Sequence, residues 1–541
     1  MEEIVVELEK IRGSKIMTLE EVVNSILKKS CLQQNCLNNE QLHLIVAPLL
    51  YRFDDILNFF QLSEITSNYC SCEIKILQYC YKNITDSNKD VNKGSYVALC
   101  ELIIAYPDKR YPLTDKYDAV STDAYELNMR MNPVVMRQCL LFYLHVLYPE
   151  LEVGDNNLKE LTKSSTNVSQ LQTYLIKKTT PRLLVTVCSR LGNFEWVNDN
   201  LKTLCIDIIN LVCACSNAKN ISVLLIGDDE NGKTFFPNGV FQHLLNEISI
   251  SFKIDIWKKN LPIKHALVWF LTKVKYPHLG AYIINVVPTL LKLADDYSTE
   301  NKVLGITIID YVIQNVNPAD LRLYNHADVI YDAFFTQLYS NKDSIYEVLL
   351  PCLLKILKVL HSNIDIVEGI KFSRWDLTLE KILQNLDLAS STSTKIIFLK
   401  NLPSYINGMA GNVIKHVDRI VSVSILCLED QSEHVRLLAL TVIITTAKVC
   451  WPVFSRYQLA ILKGIVKLLV DVNTSRELKL ESKCKLEDKA RKLLQHMRVC
   501  SGDSFDKLLL PLTDTNVDRK FLNIHLFIKT VLQKDCKTIE L

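Results

Sequence analysis

The sequence predicts an all-α protein of the HEAT/armadillo-like helical-repeat solenoid class. Three features predict it: glycine is scarce, apolar residues step by three and four, and helix-start signals recur roughly every 40 to 50 residues.

Glycine occurs 14 times and proline 15 times in 541 residues. A β-rich or dinucleotide-binding fold of this size uses more glycine, in hairpins, bulges and phosphate loops. Hydrophobic residues make up 48% of the chain, enough for a large core and too much for a disordered polymer.

Periodicity is clearest in the C-terminal half. Ile345, Val348, Leu349, Cys352, Leu353, Ile356, Leu357 and Leu360 fall on one helical face, as do Val435, Leu438, Ala439, Val442 and Ile443. Asp430 with Glu433, Ser340 with Asp343, and Thr18 with Glu21 have the spacing of capping boxes. Second helices of hairpins are expected to start near Thr299, Lys342, Thr392, Gln431 and Arg476. The run from Asp430 through Val435 and Arg436 to Ala439 and Leu440 fits the second helix of a HEAT unit. Met136-Arg137 after Asn132-Pro133 is a weaker echo. Pro288 and Pro351 lie inside apolar helical runs and are expected to bend them.

The N-terminal half is less regular. Helical runs are expected over 18–30, 38–61, 72–83, 93–105, 133–148 and 168–190, with polar loops over 106–128 and 152–169. The organisation read from this is an irregular helical region, 1–260, and a HEAT-like region, 261–541, in one continuous solenoid. A single hairpin cannot cover its own apolar face, so neighbours must stack into a shared core.

Charge and targeting signals narrow the partners. Sixty-two basic and 60 acidic residues give +2, with no basic stripe, so direct nucleic-acid binding is not expected. Met1-Glu2-Glu3-Ile4 lacks the basic and apolar regions of a secretory signal. Apolar stretches such as 437–447 fall short of the ~18 residues of a spanning helix. A soluble chain is expected, cytoplasmic and also nuclear, with no membrane contact. The 17 cysteines read as reduced core thiols, many of them in apolar runs (Cys188, Cys213, Cys352, Cys427). Two clusters, Cys70 and Cys72 with Cys80, and Cys205 with Cys213 and Cys215, lack zinc spacing or a histidine pair. No metal or cofactor is expected.

One motif points elsewhere. Residues 227–234, from Gly227 to Gly232, Lys233 and Thr234, fit the P-loop pattern G-x-x-x-x-G-K-[ST] after the strand-like run Val223-Leu224-Leu225-Ile226. Asp228, Asp229 and Glu230 would set three negative charges beside a triphosphate. Pro237 would stop the following helix within a turn, and the magnesium-binding strand is missing. A charged hairpin between helices is the expected structure. There is no H-E-x-x-H and no G-x-S-x-G. His265 and His278, flanking Trp269, read as packing or capping residues, and Asp295-Asp296 precedes a helix start at Ser298, where acids suit the dipole.

His265-Ala266-Leu267-Val268-Trp269-Phe270-Leu271, Lys275-Tyr276-Pro277-His278-Leu279-Gly280 and Leu293-Ala294-Asp295-Asp296-Tyr297-Ser298-Thr299-Glu300-Asn301-Lys302-Val303-Leu304-Gly305 form a connected signature. It continues through Asn315-Val316-Asn317-Pro318-Ala319-Asp320-Leu321-Arg322, Asn325, Val329-Ile330-Tyr331 and Leu338-Tyr339, then more thinly to Lys400-Asn401-Leu402-Pro403 and Trp451-Pro452. This segment resembles the Tel-two-interacting protein two family. The resemblance implies a non-catalytic subunit of the Triple T co-chaperone complex, bound to a larger HEAT-repeat subunit and a third subunit. It also implies indirect work with PIKK kinases and the ninety-kilodalton heat-shock chaperone, hence effects on DNA-damage signalling, telomere maintenance and TOR signalling.

Turns between paired helices line one edge of a solenoid. Asp296, Tyr297, Glu300, Asn301 and Lys302 are therefore expected to form or support a protein-binding edge, with Tyr276 and Tyr339 as aromatic anchors. Gly305 is expected to let its helix approach a neighbour closely. The competing readings are a HEAT-repeat nuclear-transport or trafficking adaptor, and a nucleotide hydrolase built on 227–234. The five tryptophans are too dispersed for the ladders an importin-like chain would use.

Overall fold

The computed structural model describes Met136 and most of 170–533; within that span it leaves out 193, 195–196, 228–234, 254, 259–260, 362–372, 476–477 and 514–521. The sequence-predicted helices before residue 168, the Thr18–Glu21 cap, the Cys70 cluster and both polar loops lie outside the described residues, except that Met136 is helical and buried. Every regular element among the described residues is helical. They fall into two compact units, divided between Thr289 and Leu290.

The first unit contains α1 (Gln170–Cys188), α2 (Asp199–Cys215), α3 (Ile221–Ile226), α4 (Phe241–Lys253) and α5 (Leu261–Lys273), and the division falls within α6 (Ile283–Ala294). α1 packs on α2 and α5, and α4 packs on α5. Leu183, Leu184, Val187, Ile208, Val212, Leu244, Ile248, Leu267 and Phe270 fill the space between them. Trp257, fully buried, stacks on Phe252 with centroids 4.9 Å apart. Arg190 is also fully buried; its Nη1 donates to the Thr186 carbonyl at 2.7 Å, so the charge is held by helix-end oxygens.

The second unit is a stack of antiparallel helix pairs. Its elements are α7 (Thr299–Gln314), α8 (Pro318–Leu323), α9 (His326–Gln337), α10 (Asp343–Leu360), α11 (Arg374–Asp387), α12 (Thr392–Met409), α13 (Val417–Leu428), α14 (Glu433–Val449), α15 (Trp451–Phe454), α16 (Gln458–Thr474), α17 (Leu480–Ser501), α18 (Asp503–Leu509) and α19 (Leu522–Gln533). The second helices form one layer, α7 on α10, α10 on α12, α12 on α14 and α14 on α17. The first helices form the other, α11 on α13, α13 on α16 and α16 on α19. Pairs close the two layers: α9 with α10, α11 with α12, α13 with α14, α16 with α17. This is the HEAT-type arrangement, and the second helices start at Thr299, Asp343, Thr392, Glu433 and Leu480, within a few residues of the sequence expectation.

A middle helix is touched by its own pair partner and by a neighbour on each side, so its apolar face must be wide. In α10, Ile345, Tyr346, Leu349, Leu350, Cys352, Leu353, Ile356, Leu357 and Val359 are all buried. Pro288 and Pro351 sit inside α6 and α10, and both helices continue through them. Two predicted caps differ. α10 is capped at Lys342, not Ser340, because Asn341 adopts a left-handed conformation (φ 51°) that puts Ser340 outside the helix. α14 is capped at Ser432, and the Asp430 carboxylate instead accepts from the Ser432 amide at 2.9 Å. Among the described residues a complete capping box, Ser373 with Asp376, opens α11.

Two interactions set the packing. Gly305 is buried where α7 crosses the end of α6: a Cβ there would lie 2.5 Å from the backbone nitrogen of Ala294 and 2.8 Å from its Cα. Asp376, 1% exposed, receives Ser373 N and Oγ at 2.8 Å each, His416 Nε2 at 2.8 Å and Lys415 Nζ at 3.5 Å. It thus ties the start of α11 to the turn ahead of α13. Burial pushes its carboxyl up, but the hydrogen bonds from Ser373 and His416 and the Lys415 charge outweigh burial and hold it below the usual carboxylate value.

Gly305→Val should lower the stability of the second unit by ~1–3 kcal/mol, read as a drop in urea midpoint, because backbone rather than a flexible side chain must yield. Asp376→Asn should cost about 1.5–3 kcal/mol at pH 7. A depressed carboxyl stabilises above its unfolded value and ceases to as pH falls through its folded one, so the gap between wild type and variant should close below pH ~4. Urea titrations at pH 7 and pH 3 check this; an unchanged gap would remove the ionised pair from the account.

Candidate functional site

The turn between α6 and α7 is built by one carboxylate. Asp296 Oδ2 accepts from the Ser298 amide at 3.3 Å and from Asn301 Nδ2 at 2.7 Å. Ser298 is the N-cap in extended conformation, and its side chain makes no cap bond; Asp296 instead holds the Ser298 amide and the Asn301 side chain. Tyr297, held between them, is 98% exposed. Glu300 is exposed in the first turn of α7, where its charge suits the helix dipole.

The next turn is fixed from inside. Tyr346 Oη donates to the Leu338 carbonyl at 3.1 Å and accepts from the Asn341 amide at 3.1 Å, while Asn385 Nδ2 also reaches Leu338 O at 2.8 Å. Tyr339 stands outward from this turn, 61% exposed, with Lys381 Nζ 3.8 Å above its ring. In the third turn the outward residue is Leu388, 74% exposed, at the C-cap of α11.

Polar side chains at these turns bond from one repeat to the next. Lys302 Nζ reaches Gln337 Oε1 at 3.2 Å, and Lys342 Nζ reaches Thr299 Oγ1 at 2.6 Å. Thr394 Oγ1 reaches Asp343 Oδ1 at 2.5 Å, and Lys395 Nζ reaches Asp430 Oδ2 at 2.7 Å. Arg436 Nε donates to the Asp430 carbonyl, and its Nη2 lies 3.8 Å from Asp471 Oδ2. Burial pushes the Asp430 carboxyl up, but Lys395, the Ser432 amide and the nearby Arg436 charge hold it below the usual value. Val435, one residue earlier on α14, is fully buried in the shared core.

Thus the predicted edge residues of the second unit share one turn edge, in two roles. Asp296, Asn301 and Lys302 shape the turn and stitch it to the next repeat. Tyr297 and Tyr339 project to solvent. Gly305, Asp430, Val435 and Arg436 hold the repeats together. Tyr276 lies in the first unit, 64% exposed in the turn after α5, preceding Pro277 through a cis peptide bond. Sequence reasoning missed Leu388, because a lone leucine at a helix end looks like core. It also missed Gln337 and Asp376, whose partners are 35 and 40 residues away in the chain.

The other sequence motifs resolve differently. The strand-like run before the P-loop match is helix α3, ended by Gly227 at φ 97°, so no strand delivers that loop. Residues 228–234 lie outside the described residues. Burial pushes the Cys213 thiol up to about 11 and those of Cys205 and Cys215 up to about 12, which keeps them protonated and poor ligands at neutral pH. His265 is buried with its ring edge-on to Phe194 at 4.5 Å, whereas His278 is exposed. Among the described residues no single helix is long and apolar enough to cross a membrane.

The two roles predict different costs. Asn301→Ala with Lys302→Met should lower the urea unfolding stability by ~1–2 kcal/mol, from two lost part-buried hydrogen bonds. Tyr297→Ala should stay within about 0.5 kcal/mol of wild type.

Three comparisons bear on this chain. The Tti2 family model matches residues 242–431, which contain the Asp296 and Leu338 turns. Human TELO2-interacting protein 2 is 27% identical over 344 residues, 62% of this chain and 66% of that protein. The mouse TELO2-interacting protein 2 is 25% identical over 334 residues, 60% of this chain and 64% of the relative. The chain thus spans just under two thirds of the length of the curated relatives it matches. Among solved structures, yeast importin-beta, Kap95p, is 10% identical with TM-score 0.39, over 97% of this chain and 70% of that one. Over residues 242–431 the chain is similar to the Tti2 family, and the human and mouse relatives carry that similarity over 62% and 60% of its length.

Proposed function

We propose that this protein is a non-catalytic scaffold subunit of the Triple T co-chaperone complex. In this reading it binds a larger HEAT-repeat subunit and a third subunit. With the ninety-kilodalton heat-shock chaperone, the complex supports folding, assembly and abundance of PIKK-family kinases. It acts in the cytoplasm and also in the nucleus. The family match supports the reading, as does the name TELO2-interacting borne by the human and mouse relatives.

The observation that carries it is the form of the turn edge. Its polar side chains bond within a turn and from repeat to repeat, and among the residues left outward are Tyr297 and Tyr339, inside the family-matched segment. Tyrosine on a rigid support is the residue type that anchors protein interfaces, since it contributes large area with little side-chain entropy to lose. Asp296, Asn301 and Lys302 are its supports, and Glu300 adds charge beside it. Tyr276 is a separate anchor on the first unit.

Affinity purification of the tagged full chain from cells, followed by mass spectrometry, tests the reading. The expected eluate contains two large helical-repeat proteins together with PIKK kinases. Nucleoporins or transport cargo in their place would overturn it in favour of a trafficking adaptor.

A further inference from the structure

Three lysines gather where α14 and α17 lie side by side. Lys489 Nζ crosses from α17 to the Leu437 carbonyl of α14 at 3.2 Å and also meets Thr441 Oγ1. Both partners are neutral, so they orient the ammonium and leave its charge unbalanced. Lys448 and Lys492 are exposed, and among the described residues neither has a hydrogen-bond or ion-pair partner. Lys489, Lys492 and His496 follow one another by three and four along α17 and so share one stripe of it.

The cluster acts on its own members. Burial holds the Lys489 ammonium below the usual lysine value, and the Lys492 charge lowers it further. Burial lowers His496 in the same way, helped by Lys448 across on α14. Like charges thus face each other over the seam, where an arriving anion relieves all of them.

The carboxylates around the seam are engaged or distant. α12, which flanks α14 on its other side, holds Lys395 and Lys400 and no acid. The one acid of α14, Glu433, is in its first turn, far along the helix from Lys448. On α17, Glu481 pairs with Lys485 at 2.6 Å and Asp488 with Arg491 at 3.1 Å. Glu487 lies about 160° around the helix from Lys489. On α18, Asp506 pairs with Arg498 at 2.7 Å, which leaves Asp503 exposed past the end of α17.

The surface among the lysines is aliphatic. Leu437, Thr441, Ile444 and Thr445 are half-buried on the face of α14 that carries Lys448. The Thr441 and Thr445 hydroxyls donate to helix carbonyls at 2.8 and 2.9 Å. Nucleic acid suits this surface poorly. Three lysines neutralise few phosphates, α14 and α17 have no Phe, Tyr or Trp on which a base could stack, and the whole chain carries only +2.

We infer that the face shared by α14 and α17 binds an acidic segment of a partner protein, in which aspartates or glutamates alternate with aliphatic residues. Lys448, Lys489 and Lys492 pair with its carboxylates, and Leu437 and Ile444 receive its apolar side chains. This surface is separate from the turn edge and does not depend on it.

The test is fluorescence anisotropy with the purified full chain and a short labelled peptide of alternating glutamate and leucine. The expected result is saturable binding that weakens as salt rises, with no binding of the same peptide carrying glutamine for glutamate. Lys448→Glu with Lys492→Glu should raise the Kd about tenfold or more. The urea midpoint should hold, because both side chains are exposed and without partners. The milder Lys448→Gln with Lys492→Gln should raise the Kd about threefold, and serves if the reversal disturbs folding. Equal affinity of wild type and the folded variant, or no binding below about 1 mM, would overturn the inference. So would tighter binding of single-stranded oligothymidylate, or of a peptide of residues 148–160, the chain's own acidic stretch. In cells, p-benzoylphenylalanine at Gln495 should crosslink to an acid-rich segment of another protein, and the crosslink should be lost on reversal of Lys448 and Lys492. No crosslink, or one to a second copy of this chain, would overturn it as well. None of these readouts uses the co-purifying subunits, so their failure leaves the functional reading standing.

Discussion

A helical hairpin has one apolar face more than it can cover by itself. Everything in the second unit follows from that constraint. Each second helix is pressed between its own partner and two neighbours, so apolar residues wrap much of α10, from Ile345 to Val359. Burying a single leucine or isoleucine contributes ~1.5–3 kcal/mol, and that gain is available only when the next repeat is present. Close approach is then limited by backbone. At Gly305, where α7 meets the end of α6, there is no room even for a methyl group.

Stacking of this kind leaves polar groups at the helix ends that need partners, because buried donors and acceptors without them are costly. The two edges of the stack solve this in related ways. At the turn edge, Asp296, Lys302, Lys342, Asp343, Lys395, Asp430 and Arg436 bond within a turn or across to the next repeat. At the opposite edge, Asp376 gathers Ser373, His416 and Lys415 about the start of α11, and Arg374 pairs with Asp328 of the preceding first helix. Hydrogen bonds also cross the core: Tyr405 Oη donates to Leu350 O at 2.7 Å, and Tyr331 Oη lies 3.1 Å from Thr378 Oγ1. Such contacts add direction to a packing force that has none.

Once the polar groups are so engaged, the turn edge has a definite chemical character. Its carboxamides, lysines and hydroxyls work inward and sideways, while Tyr297, Tyr339 and Leu388 face water. That division of labour suits a scaffold. The residues that hold the framework and those that face water are separate sets, so the outward ones can be exchanged at little cost to folding.

The fold class and the positions of the second helices were legible in the sequence because both depend on local pattern. Three- and four-residue steps and the breaks between them are written in consecutive residues, so starts expected near Thr299, Lys342, Thr392 and Gln431 fall within two residues of the observed Thr299, Asp343, Thr392 and Glu433. The family resemblance was legible for a similar reason, through the connected stretch around Asp295–Gly305. Side-chain roles were not. Ser340 with Asp343 has capping-box spacing, yet Asn341 turns left-handed and the helix begins later. Asn301 and Lys302 were expected to form or support a protein-binding edge; Asn301 shapes its own turn through Asp296, and Lys302 is a stitch that meets Gln337 only after an intervening helix pair has formed. Leu388, which local pattern does not single out, is exposed at the third turn. Local spacing determines which face of a helix is apolar; only the stacked structure decides which polar and apolar residues at the turns are left facing water, because that depends on partners 35 to 51 residues away.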